Sequence, residues 1–81
     1  MSEAFVLINV AMGKEAEVLS ELRSVPGISM VNGTFGAYDV VTKIEADDQS
    51  NMRDIITMKI RKIEYVRSTL ALIIIDEQND E

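Results

Sequence analysis

Apolar residues recur along this chain with two different periods in a fixed succession, and that succession limits the fold more than any single motif does. AFVLINVA (4–11) is a β-branched-rich run ended by Gly13, and it predicts a strand. In KEAEVLSELRSV (14–25), Val18, Leu19, Leu22 and Val25 fall at helical spacing while Glu15, Glu17, Glu21 and Arg23 fall on other faces. That predicts an amphipathic helix, closed by Pro26-Gly27. ISMVNGTF (28–35) and YDVVTKIEA (38–46) predict two strands joined by a tight hairpin turn at Gly36-Ala37. DDQSNMRDIITMKIRKI (47–63) opens on N-cap residues, sets Met52, Ile55, Ile56, Ile60 and Ile63 on one face, and ends in Lys59, Arg61 and Lys62, cations that suit a helix C-terminus. It predicts the second helix, and YVRSTLALIIID (65–76) predicts the last strand.

The order βαββαβ is the ferredoxin-like split βαβ arrangement, an α+β sandwich with one antiparallel four-stranded sheet. No linker interrupts it, so residues 1–76 read as one domain and the acidic residues 77–81 as a solvated tail. In this fold both helices cover one face of the sheet, and the other face should carry polar residues at every second strand position. It does not: Phe5 and Leu7 oppose Val6, Ile8 and Val10 in the first strand, and Val66, Leu70, Leu72 and Ile74 oppose Ala71, Ile73 and Ile75 in the last. Monomers seldom expose an apolar patch beyond about 300–600 Å². Covering such a face at roughly 25 cal/mol per Å² offers on the order of 10 kcal/mol before association costs. The expectation is therefore a sheet-to-sheet homodimer, a dimeric α+β barrel. Size points the same way, because 81 residues without a cysteine form a marginal domain with no disulfide or thiolate metal site to brace it. Met58 falls off the apolar stripe of the second helix and predicts a further contact between dimers.

Charge and residue inventory exclude several function classes. Fourteen acidic against eight basic residues give a net charge of −6, which opposes the phosphate attraction behind most nucleic-acid binding, so direct DNA binding is not expected. MSEAFVLINVAMGKE has no basic leader and too short an apolar run to span a bilayer, which predicts a cytoplasmic protein with no membrane partner. Histidine and cysteine are absent, removing the commonest general base, the commonest metal ligand and the best nucleophile. No enzyme activity, metal or cofactor is expected. Asp47 and Asp48 read as a helix N-cap region, and Glu15, Glu17 and Glu21 as a solvated helical face. Lys59, Arg61 and Lys62 could grip an anion but sit where cations stand without one, while Ser68 and Thr69 could offer hydroxyls to a polar ligand or be edge-strand residues.

The heptapeptide GTFGAYD (33–39) is the one candidate site. Its glycines allow close backbone approach, its amides could cradle an oxyanion, and its carboxylate lies beside a tyrosine, together the chemistry an α-amino acid requires. A glycine-rich hairpin needs none of this, and the residues alone leave both readings open.

The run VNGTFGAYDVVTKIEADD, followed by a helix ending MKIRKI and by EYVRSTLALIII, resembles the effector-binding (RAM) domain of the Lrp/AsnC family of amino-acid-responsive regulators. Gly36-Ala37-Tyr38-Asp39-Val40-Val41 matches that family's Gly-x-Tyr-Asp motif, and VPGISMV matches its entry to the second strand. Two departures stand out. No helix-turn-helix precedes the first strand, which implies a stand-alone effector domain, and Glu64-Tyr65-Val66 stands where the family commonly has Pro-Gly-Val. The resemblance implies sheet-paired dimers assembling into a ring such as an octamer or decamer, with a free amino acid bound in clefts between dimers and full-length family regulators as further partners. By motif position, Gly36 and Ala37 would meet the ligand carboxylate and Asp39 its ammonium. Tyr38, Thr34 and Phe35 would shape the pocket, and Ser68, Thr69 and Met58 would come from a neighbouring subunit. Two alternatives share the fold: a small cofactor-free dimeric-barrel enzyme and an ACT-type amino-acid-binding domain.

Overall fold

A computed structural model describes residues 1–75; the expected acidic tail at 77–81 and the end of the last predicted strand lie outside the described residues. Four strands, β1 (Ser2–Val10), β2 (Ile28–Gly33), β3 (Val40–Ala46) and β4 (Val66–Ile73), form one sheet in the order β2-β3-β1-β4, with every neighbouring pair antiparallel. Helix α1 (Glu15–Arg23) connects β1 to β2, and α2 (Gln49–Asp54), continued by a π-helical segment (Ile55–Ile60), connects β3 to β4. This is the α+β ferredoxin-like fold that the period changes predict.

The core lies between the helices and one sheet face. Val6 and Ile8 of β1, Val40 and Ile44 of β3, Val18 and Leu22 of α1, and Met52 and Ile60 of the second helical connection are essentially inaccessible to solvent. In β1 and β3 the alternation is strict: each buried residue is followed by a half-buried one, as a strand with one covered face demands. Thr42 occupies a core position and satisfies its hydroxyl by donating to the Val6 carbonyl at 3.1 Å. Gly27, at φ +95°, holds the turn after α1 close to the second helix: a Cβ there would sit 2.6 Å from Ile55 Cδ1. The same glycine's carbonyl accepts from the Glu45 amide at 2.8 Å, which docks the turn on β3.

Three expectations need correction. The second helix is not one regular α-helix over 47–63: α2 starts at Gln49, capped by Asp48, whose side chain accepts from the Asn51 amide at 2.8 Å, and from Ile55 the hydrogen bonding widens. The Arg61 amide donating to the Ile56 carbonyl at 3.0 Å is an i→i−5 bond of that wider turn. The hairpin is not tight either. β2 ends at Gly33 and β3 begins at Val40, leaving the six residues 34–39 as a loop rather than a two-residue turn at Gly36-Ala37. Finally, Val66 does not share a face with Leu70 and Leu72. A register shift between Asn9 and Val10 sets Val66 opposite Val10, where it packs against the core. One extra residue in a strand inverts every side chain beyond it.

The face away from the helices is the apolar one anticipated. Phe5 and Leu7 are half-buried, Leu70 and Ile74 are exposed, and Leu72 stands 51% exposed with only its own sheet beside it. Lys43, in the middle of β3 opposite Phe5, sits on the same face and pairs with Glu3 at 3.9 Å and Glu45 at 3.7 Å.

Candidate functional site

The loop 34–39 is built from its base upward. The Thr34 amide donates to the Asp39 carbonyl at 2.9 Å, and the Thr34 hydroxyl donates to the Tyr38 carbonyl at 2.8 Å, closing the neck. Across the sheet, the Asp39 amide donates to the Ile8 carbonyl at 2.9 Å, and Asp39 Oδ2 accepts from the Val10 amide at 2.8 Å. Both bonds lie on the β3 side of β1, just past the Ile8–Val40 pair that ends the regular β1–β3 ladder. The aspartate therefore caps the end of the β1–β3 ladder, a role the sequence does not reveal because nothing in NVAMG marks where the pairing with β3 stops.

Above the neck, the tip is open. Phe35 is fully exposed, Gly36 adopts φ +123°, and nothing lies within 4 Å of the position a Gly36 Cβ would take. Among the described residues no hydrogen bond engages the amides of Phe35, Gly36 and Ala37, and none engages Asp39 Oδ1. Three free donors and one free carboxylate oxygen thus share a six-residue loop whose base is fixed by four hydrogen bonds. Such a loop can receive a carboxylate on its amides and an ammonium on Asp39.

The remaining candidates are not brought to this loop within one chain. Ser68 lies on the open sheet face, where it accepts from Asn9 Nδ2 at 3.1 Å, while Thr69 lies on the helix side and accepts from Arg61 Nε at 3.2 Å. Adjacent strand residues face opposite ways, so the two hydroxyls cannot serve one pocket. Met58, 60% exposed, instead lines a groove of about 710 Å³ between α1 and the π-helical segment. Glu17, Glu21, Lys59 and Lys62 line that groove too. As separate helix-face residues they read as ordinary solvated charges; only the packing of two helices makes them walls of one feature.

Tyr65 closes the end of that groove with a left-handed backbone, φ +76°, unusual for any residue but glycine. It is the middle residue of Glu64-Tyr65-Val66, the departure from the Pro-Gly-Val of the resemblance noted above. Its carbonyl accepts from the Ala11 amide at 2.8 Å, and Lys14 Nζ lies 4.9 Å from its ring centre, contacts that hold the strained conformation.

The fold is the α+β ferredoxin-like one, and comparison with known proteins gives the family. The model of the Lrp/AsnC ligand binding domain matches residues 3–81, and the chain belongs to that family. The HTH-type transcriptional regulator FL11 of Pyrococcus furiosus is 38% identical over 72 residues, covering 89% of this chain and 47% of that protein. The chain thus spans about half the length of the curated relatives it matches. The crystal structure of FFRP-DM1 superposes with a TM-score of 0.89 at 36% identity, covering 93% of this chain and 100% of that one. A structure of the transcriptional regulator NMB0573 of Neisseria meningitidis in complex with L-Met shares the fold, with a TM-score of 0.80 at 14% identity over 96% of this chain and 52% of that one. No helix among the described residues is long and apolar enough to cross a membrane.

Proposed function

We propose that this chain is a non-enzymatic regulatory module that binds a free amino acid on the loop 34–39. The observation that carries the reading is the coincidence of unengaged amides at Phe35, Gly36 and Ala37 with an unengaged Asp39 Oδ1 in one base-pinned loop. Membership of a ligand-binding family supports it, as does an L-Met complex in a protein of the same fold. The ligand carboxylate would lie on the amides and its ammonium on Asp39, with Tyr38 and Phe35 flanking the side chain. The open loop covers only part of such a ligand, so a second subunit completes the cleft. Sheet-paired dimers, joined through Leu70, Leu72 and Phe5, would be the unit that assembles around it, and full-length regulators of the family are the partners such a module would modulate.

Thermal unfolding of the protein in the presence of each of the twenty amino acids tests this. A concentration-dependent rise in Tm with at least one of them is expected, because a ligand that binds only the folded state stabilises it by mass action. Indifference to all twenty at millimolar concentration contradicts the reading.

A further inference from the structure

β4 departs from regular pairing at one residue, and that residue is an arginine. Asn9 pairs with Ser68 and Val10 with Val66, which leaves Arg67 as the extra residue of a β-bulge. In unbroken register Arg67 would stand opposite Val10, in the core. The bulge gives that place to Val66, which packs against the core, and leaves Arg67 unpaired and exposed. Alternation counted back from Thr69 keeps Arg67 on the helix side of this edge strand. Arg61, just past the end of the π-helical segment, reaches the same place: its Nε donates to Thr69 Oγ1 at 3.2 Å. Residues two apart in a strand stand about 6.5 Å apart at Cα, a separation that two long arginine side chains close over one ligand.

Neither arginine is neutralised. Among the described residues Arg61 and Arg67 form no ion pair, and no hydrogen bond engages the Arg67 guanidinium or the Nη groups of Arg61. The run KIRKIEYVR (59–67) holds four of the chain's eight bases against one acid, Glu64, so this edge is a positive stretch in a chain of net charge −6. Thr69 Oγ1 accepts from Arg61 and keeps its own proton to donate. Two planar forks and one hydroxyl thus stand on one side of β4. A carboxylate has two oxygens and is filled by a single fork, whereas the three or more oxygens of a phosphate group use both forks and the hydroxyl. A polyanion such as a nucleic acid meets repulsion from the rest of the surface, which carries every acid but Glu64. We propose that Arg61, Arg67 and Thr69 form a site for the phosphate group of a small molecule, as the free ion or as a monoester. The site lies on the β4 side of β1, while the loop 34–39 is pinned to β1 from the β3 side, and it does not rest on amino-acid binding.

Calorimetric titration of the full chain with inorganic phosphate, at constant ionic strength in a chloride buffer, tests the proposal. One saturable site per chain is expected at millimolar phosphate. A parallel titration with glycerol 3-phosphate distinguishes the two sources, the tighter ligand being the form the site takes. Arg61→Met and Arg67→Met each remove one fork and should weaken phosphate binding by about tenfold or more, as loss of a charge-assisted hydrogen bond does. Arg53→Met removes the same charge from an exposed position of α2 and should leave the affinity unchanged. Circular dichroism checks folding, and if Arg61→Met disturbs it, Arg67→Met, at an exposed and unpaired residue, decides alone. Absence of saturable binding of both ligands overturns the proposal. Undiminished affinity in a folded Arg61 or Arg67 variant overturns it too, as does an equal loss in Arg53→Met, which would leave only general charge attraction.

Discussion

Asp39 carries two demands on one carboxylate. Oδ2 holds the Val10 amide at 2.8 Å, while Oδ1 is the oxygen available to a ligand ammonium. Asp39→Asn retains an acceptor for Val10 but removes the charge, and a charge-assisted hydrogen bond contributes about 1.5–3 kcal/mol against about 0.5–1.5 for a neutral one. Amino-acid affinity, read by calorimetric titration, should fall by roughly one to two decades with the assembly mass unchanged. Asp39→Ala should behave differently. It strands a partly buried amide, and chemical denaturation should show a loss of about 1–3 kcal/mol in stability. Equal destabilisation by both substitutions would make Asp39 a structural residue alone. This duality also marks a limit of sequence reading: the aspartate is conspicuous in GAYD, but its bond to Val10, 29 residues away, depends on where the β1–β3 pairing ends, and no local pattern encodes that.

Among the elements, the strands and α1 were legible because their apolar periods coincide with burial: Val6, Ile8, Val40 and Ile44 alternate with half-buried neighbours, and Val18 and Leu22 lie one helical turn apart. The second helical connection was legible in its existence and not in its geometry. Its apolar stripe suits both an α-helix and a segment that widens at Ile55, since Ile56 and Ile60 stay buried either way. Its start was clear, and Asp48 rather than Asp47 is the cap. Asp48→Ala should therefore cost about 1 kcal/mol of stability by chemical denaturation, and Asp47→Ala should cost within about 0.5 kcal/mol, as exposed substitutions do. Gly36-Ala37 looks like a turn pair and so implies too short a connection, whereas the Thr34 and Asp39 hydrogen bonds place the closure of the loop 34–39 at the neck. Those same bonds leave the tip amides free, and the proposed site rests on those amides.

At the scale of the whole molecule, two surfaces stay unpartnered in one chain: the apolar sheet face and the charged groove. Leu72→Asp places a charge in the middle of the first, on a residue 51% exposed, so the chain should remain folded while light scattering shows loss of the sheet-paired dimer. Unfolding of this variant at every concentration would mean that the face is part of the monomer's own core. With a surplus of six negative charges, this chain should not shift duplex DNA in a gel at physiological salt.

The central claim is that an amino acid is held by the tip of the loop 34–39. Its most direct test is amide hydrogen exchange, followed by mass spectrometry, with and without the amino acid that raises Tm most. Ligand bonds to the Phe35, Gly36 and Ala37 amides should slow exchange in the peptide spanning 34–39 while leaving the peptides of α1 and the π-helical segment unchanged. Slowed exchange in the helical groove with none in 34–39 would place the ligand elsewhere and contradict the account.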